Sequence, residues 1–180
     1  MIRACPPAAA VVLVAIASTL ACSAASARPE GCPPGSRSDP ARSARIATQL
    51  AQALAMLAHE PDAAALARRW NPAQPALCFG ERNEAREQER VAVLSDALDD
   101  VNAAARAAHL LHHHHVTPVW PAQPTPSCAH KVARAMTAER AAHALERAVQ
   151  RVLGARVAQD ADRPGLQAAY AERCRRERAR

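Results

Sequence analysis

Apolar positions recur at helical spacing over most of this chain, and prolines break the pattern where a helix has to stop. Ile46, Leu50, Leu54 and Leu57 repeat every three to four residues and predict a first helix. Asp39 caps it, and Pro40 fits its first turn, where no amide donor is needed. Pro61-Asp62 opens a second, shorter helix carrying Leu66 and Trp70, stopped by Asn71-Pro72. Residues 71–80 then read as a loop held by Cys78 and by burial of Leu77 and Phe79.

The next stretch has two readings. Val91, Leu94, Leu98, Val101, Ala105 and Ala108 alternate steps of three and four, which predicts one long helix running from Glu84 to the histidines at 109–115. The rival makes Val91-Ala92-Val93-Leu94 a short strand, with Asp99 or Asp100 capping a separate helix. The helix is favoured, because Glu81, Glu84, Glu87 and Glu89 alternate with Arg82, Arg86 and Arg90 as on a salt-bridged helix face. Prolines 118, 121, 124 and 126 make 116–127 a connector, from which Val119 and Trp120 pack back on the core.

After Cys128, the residues Val132, Met136, Leu145, Val149, Val152 and Leu153 outline another long helix that weakens at Gly154. Asp162-Arg163-Pro164-Gly165 restarts a last helix with Leu166, Tyr170 and Cys174. The expectation is an all-α domain of about five helices, with a short strand at 91–94 as the variant. Abundant alanine favours helix but buries little area per residue, so the interior is expected to be thin. Trp70, Phe79, Trp120 and Tyr170 serve first as core anchors.

The N-terminus changes the compartment. Met1-Ile2-Arg3 followed by the apolar run 8–17 is a secretory leader, too short to span a bilayer. Ala25-Ser26-Ala27 suits ordinary signal peptidase, giving a leader of 1–27. Thr19-Leu20-Ala21-Cys22 is similar to a bacterial lipobox, with Thr19 where Leu is usual, giving a leader of 1–21 and lipidation at Cys22. Residues 28–39 form a linker rich in proline and glycine, and 40–180 a single helical domain.

Four cysteines remain in the exported part: Cys32, Cys78, Cys128 and Cys174. An even set in such a protein reads as disulfides. Three pairings are open; the equal spans Cys32–Cys78 and Cys128–Cys174 suggest two similar helical units, each closed by one bridge. A bridge over such a span contributes about 3 to 4 kcal/mol in the chain-entropy view. Lys and Arg number 23 against 17 Asp and Glu. The excess lies in the tail at Arg173, Arg175, Arg176, Arg178 and Arg180, read as a solvated helix end or a contact for an anionic membrane surface. Export argues against nucleic acid as partner; a protein of the cell envelope fits better.

Candidate chemistry concentrates at His109-Leu110-Leu111-His112-His113-His114-His115. On a helix His109 and His113 share a face, with His112 beside them, and imidazoles at i and i+4 can hold one ion. Glu139, His143 and Glu146 on the later helix, with His130 near its start, are the candidates to complete the shell of zinc or copper. The plain alternative is a solvated helix terminus with incidental histidines. No phosphate loop, G-x-S-x-G serine or C-x-x-C pair stands beside this cluster.

His109 to His113, followed downstream by Glu139-Arg140-Ala141-Ala142, resembles the ligand layout of zincin-type metallopeptidases. The resemblance implies His109 and His113 as ligands and Glu139 as the third. Leu110 stands where those enzymes carry their catalytic Glu, so it implies metal binding without peptidase activity. The functions left open are a non-catalytic metal protein, an envelope interaction lipoprotein, and a zincin-like hydrolase with another base.

Overall fold

The computed structural model describes residues 32–86, 91–120, 127–155 and 165–179. The leader, Cys22 and residues 28–31 of the linker lie outside the described residues. Among the described residues there are five helices and a small sheet. Helix α1 (Pro40–Met56) starts as its sequence requires: the Asp39 side chain accepts from the Arg42 amide at 2.9 Å, and Ile46, Leu50 and Leu54 face the interior. Helix α2 (Pro61–Arg69) buries Ala63 and Leu66, and the chain turns extended at Trp70.

The favoured long helix from Glu84 does not form. Strands β3 (Glu84–Arg86) and β4 (Val91–Ser95) occupy its first half, and a separate helix α3 (Asp100–His115) its second. Asp99 caps α3 by accepting from the Asn102 amide at 2.8 Å. The loop expected at 71–80 ends in strand β2 (Leu77–Gly80). Both misreadings have one cause. Every residue of β2, and Val91 to Leu94 of β4, is buried, so neither strand shows the alternation that identifies a half-exposed strand. The three-four spacing around Val91 is therefore incidental, and the salt-bridged helix face falls with it at 81–86, residues 87–90 lying outside the described residues.

A two-residue strand, β1 (Ser36–Arg37), completes the sheet in the order β1-β2-β4-β3. β2 and β4 run parallel, with Leu77 opposite Ala92 and Gly80 opposite Ser95. β1 and β3 close the edges antiparallel. Gly80 sits where any Cβ would stand 3.1 Å from the Gly35 carbonyl, which only glycine tolerates without a shift.

Helix α3 is the centre of the molecule: α1, α2, β4 and above all α4 (Cys128–Leu153) pack around it. Its alanines 103, 104, 105, 107 and 108 are all fully buried, so methyl groups line the helix contacts, as the thin interior predicted. Helix α4 ends at Gly154 in the left-handed conformation, φ 69°. Helix α5 (Leu166–Arg178) lies on α4 and buries only Cys174.

Disulfides join Cys32 to Cys78 and Cys128 to Cys174, each across 46 residues. The first ties the segment before β1 to β2; the second ties the start of α4 to α5. The pairing follows the equal spans, but the enclosed units differ: α1 and α2 with strands in one, α4 and α5 in the other. Val119 and Trp120 pack back as expected, forming a small second core with Ala135, Cys174 and Tyr170.

Candidate metal centre

Because α3 is central, its last turns point into protein and not into water. His109, His112 and His113 are at most 5% exposed, which removes the solvated-terminus reading for these three; His114 and His115 are half-buried at the helix end. A helix of alanines lets α4 come close, and Glu139 and Glu146 are presented from α4, both buried.

His109 Nε2 and His113 Nε2 lie 3.2 Å apart, and Glu139 Oε2 lies 3.4 Å from the first and 3.6 Å from the second. Adjacent donors in a tetrahedral shell with bonds of 2.0 to 2.1 Å stand about 3.3 to 3.4 Å apart. Three donor atoms from two helices thus occupy corners of one such shell.

The atoms of these residues that face away from the shell are also engaged. His113 Nδ1 is 3.2 Å from the Thr117 carbonyl, to which an Nδ1–H donates, leaving the Nε2 lone pair for an ion. Glu139 Oε1 accepts from the Tyr170 hydroxyl on α5. His109 Nδ1 lies 3.1 Å from Glu146 Oε2, in ion-pair range but off the line of a well-formed hydrogen bond. Glu146 is steadied through its other oxygen by Arg106 Nε at 3.0 Å.

His143, one turn beyond Glu139, approaches both carboxylates. Its Nε2 is 3.8 Å from Glu139 Oε2 and its Nδ1 3.5 Å from Glu146 Oε2, so two imidazoles span the same two acids. His109, His143 and Glu146 form a second donor set that shares His109 with the first. One imidazole serves two ions only as an imidazolate, and Arg106 already brings positive charge to Glu146. The first set is therefore the stronger, with Glu146 as its outer carboxylate.

Burial disfavours the charged forms of Glu139, Glu146 and His109, and their pairings outweigh it. Against the burial that would raise it, the neighbouring His109 and His113 and the Tyr170 hydroxyl hold the Glu139 carboxyl well below the usual carboxylate range. His109, His143 and Arg106 bring Glu146 down to about 2 against the same penalty. For His109, burial pulls towards the neutral ring, but Glu139 and Glu146 raise its pKa above the ordinary value. A proton on His109 between two carboxylates occupies the place where a divalent ion would do the same work.

The predicted residues thus divide. His109, His113, Glu139 and His143 come together. His112 does not join them: one residue from His113 is a turn of about 100° around α3, and its Nε2 faces Asp62 Oδ1 of α2 at 3.2 Å. Burial holds the His112 ring below its ordinary pKa, with Asp62 opposing. His130 is exposed at the start of α4, about 20 Å along the helix from His143. His59 is a surface residue.

Sequence reasoning missed Tyr170, Arg106 and Thr117 as supporting groups. Only Tyr170 left a trace, four residues before Cys174 and so on the face that the bridge pins. Leu110, at the position of a zincin's catalytic Glu, is buried in the apolar core. No protein family matches the chain, and no curated protein or solved structure matches it either.

Proposed function

We propose that this is an exported protein of the bacterial cell envelope that holds one divalent transition-metal ion, zinc by donor type, through His109, His113 and Glu139, without hydrolytic chemistry. One observation carries the reading: three donor atoms from two helices converge within one shell, with the far atoms of His113 and Glu139 held by Thr117 and Tyr170 and that of His109 facing Glu146. Metal ligands are oriented in this way, and a buried acid–histidine cluster built only for stability has no need of converging lone pairs. His143 is a further imidazole beside the shell, and copper is the second candidate because imidazole suits both metals.

Leu110 in the core supports binding over catalysis, since no carboxylate stands at the position that activates water in a zincin. Export is supported by two disulfides, which persist in oxidising compartments. No helix among the described residues is long and apolar enough to cross a membrane.

Calorimetric titration of the protein with zinc, beside the His109→Ala/His113→Ala variant, tests the assignment. One ion per chain is expected, bound tighter than about 10 μM in the parent and lost in the variant. Absence of saturable binding at that level overturns the proposal.

A further inference from the structure

We propose that Tyr170 is a positioning residue of the metal centre and that the Cys128–Cys174 bridge controls it, so that reducing this disulfide weakens the hold on the ion. The inference rests on the metal reading above and adds a redox input to it.

Helix α5 touches the centre through Tyr170, which reaches across to Glu139 of α4. Among the described residues the apolar seat of that helix is small. Cys174 is its one buried residue, and the Arg-Glu pairs along it, such as Arg175 with Glu172, are exposed. Further attachments meet at Trp120. Tyr170 stacks on that ring at 5.9 Å, Arg173 lies over it at 4.5 Å, and Glu177 accepts from the Trp120 indole and from Lys131. Exposed charge pairs contribute little against the entropy of holding them, and a 13-residue helix with so small an apolar face does not stay formed alone.

The covalent tie is therefore the principal restraint on α5. Tyr170 and Cys174 are four residues apart and share a helix face, so the bond that fixes Cys174 to the first turn of α4 also holds Tyr170 over Glu139. The bridge Cys32–Cys78 packs with Val91 and Val93 in a separate cluster and reaches no residue of the centre.

A dithiol opens the bridge in two steps. Its thiolate attacks one sulfur to give a mixed disulfide and expels the other cysteine as thiolate. Its second thiolate then attacks the reductant's own first sulfur across the mixed disulfide and expels the remaining cysteine as thiolate, so that two electrons and two protons end on Cys128 and Cys174 and the reductant leaves as a disulfide. With α5 released, Glu139 Oε1 loses the donor that fixes the carboxylate. Loss of such an outer partner lowers metal affinity about 10- to 100-fold.

The test measures zinc affinity of the full chain by competition with a chromogenic chelator, avoiding reductants that bind zinc. Tyr170→Phe, which keeps both bridges, and Cys128→Ser/Cys174→Ser are each expected to weaken binding about 10- to 100-fold. Their combination is expected to lose no more than either alone, and Cys32→Ser/Cys78→Ser to bind as the parent does. With cobalt in place of zinc, the first two variants should shift the visible bands alike, a change that general loosening does not produce. If the serine pair loses its helical signal, Cys128→Ala/Cys174→Val takes its place. Parent-like affinity in Tyr170→Phe or in the bridge variant, or additive losses, overturns the latch. A parent that binds no zinc overturns the metal reading instead.

Discussion

The hydroxyl of Tyr170 donates to one oxygen of Glu139 while the other oxygen faces His109 and His113. A single carboxylate therefore links the outermost helix to the most buried one. Glu139→Gln keeps the shape and removes the anionic donor, so zinc affinity should fall by about 100-fold or more, beyond the loss expected for an outer partner alone. In the metal-free protein the same change breaks a buried charge pair and should cost about 3 kcal/mol in urea unfolding. Unchanged zinc affinity in this variant would remove Glu139 from the ligand set.

Acid should destabilise the metal-free protein earlier than a protein with ordinary carboxylates. Glu146 titrates at about 2 when folded against 4.5 ordinarily, and Glu139 is depressed in the same direction. Their contribution is complete above 4.5 and is lost as pH falls towards the folded value. His109 runs oppositely: its raised pKa gives stability that is complete below 6.5 and fades as pH rises through the folded value. The urea midpoint should accordingly peak between these limits, and Glu146→Gln should flatten the acid side. A midpoint that does not change with pH contradicts the charged arrangement.

Zinc uptake should displace the proton from His109. Affinity is expected to rise with pH through the raised His109 value and to level off above it, with proton release visible as a buffer-dependent heat. A pH-independent affinity and no proton release would show that His109 Nε2 is not a ligand.

His112 separates burial from ligation. Its side chain is fully buried against Asp62, so His112→Ala should cost about 2 kcal/mol or more through the cavity left. Zinc affinity should stay unchanged, and His130→Ala should alter neither quantity. A zinc defect in His112→Ala comparable with that of His113→Ala would place His112 in the shell after all.

The helices were readable from the sequence wherever proline or glycine marked their ends: Pro40, Pro61, Gly154 and Gly165 all sit where the pattern placed them. Of the sheet only β4 was offered, as the rival strand at 91–94 with Asp99 capping the next helix, and β2 was not, because Leu77 to Phe79 and Val91 to Leu94 are covered on both faces and lose the two-residue rhythm. In the site, His109 and His113 followed from helical spacing, and Glu139 from the same spacing on α4. The separation of His112 was also available from its angle around the helix, but Asp62 as its partner depends on how α2 packs. Tyr170 was out of reach for the same reason: α5 meets α4 at a place set by a covalent bond between distant residues.

The five buried alanines of α3 act as a gauge. Methyl groups keep the elements packed around α3 close, α4 among them, and the donors across the α3–α4 seam have the reach of one imidazole and one carboxylate to close it. Extra volume placed in that seam, turns away from any ligand, would jack the two backbones apart at a cost of about 1 to 3 kcal/mol and pull three converging atoms out of register. The plainest residues in the chain thus decide which ion size the most specialised ones can grip.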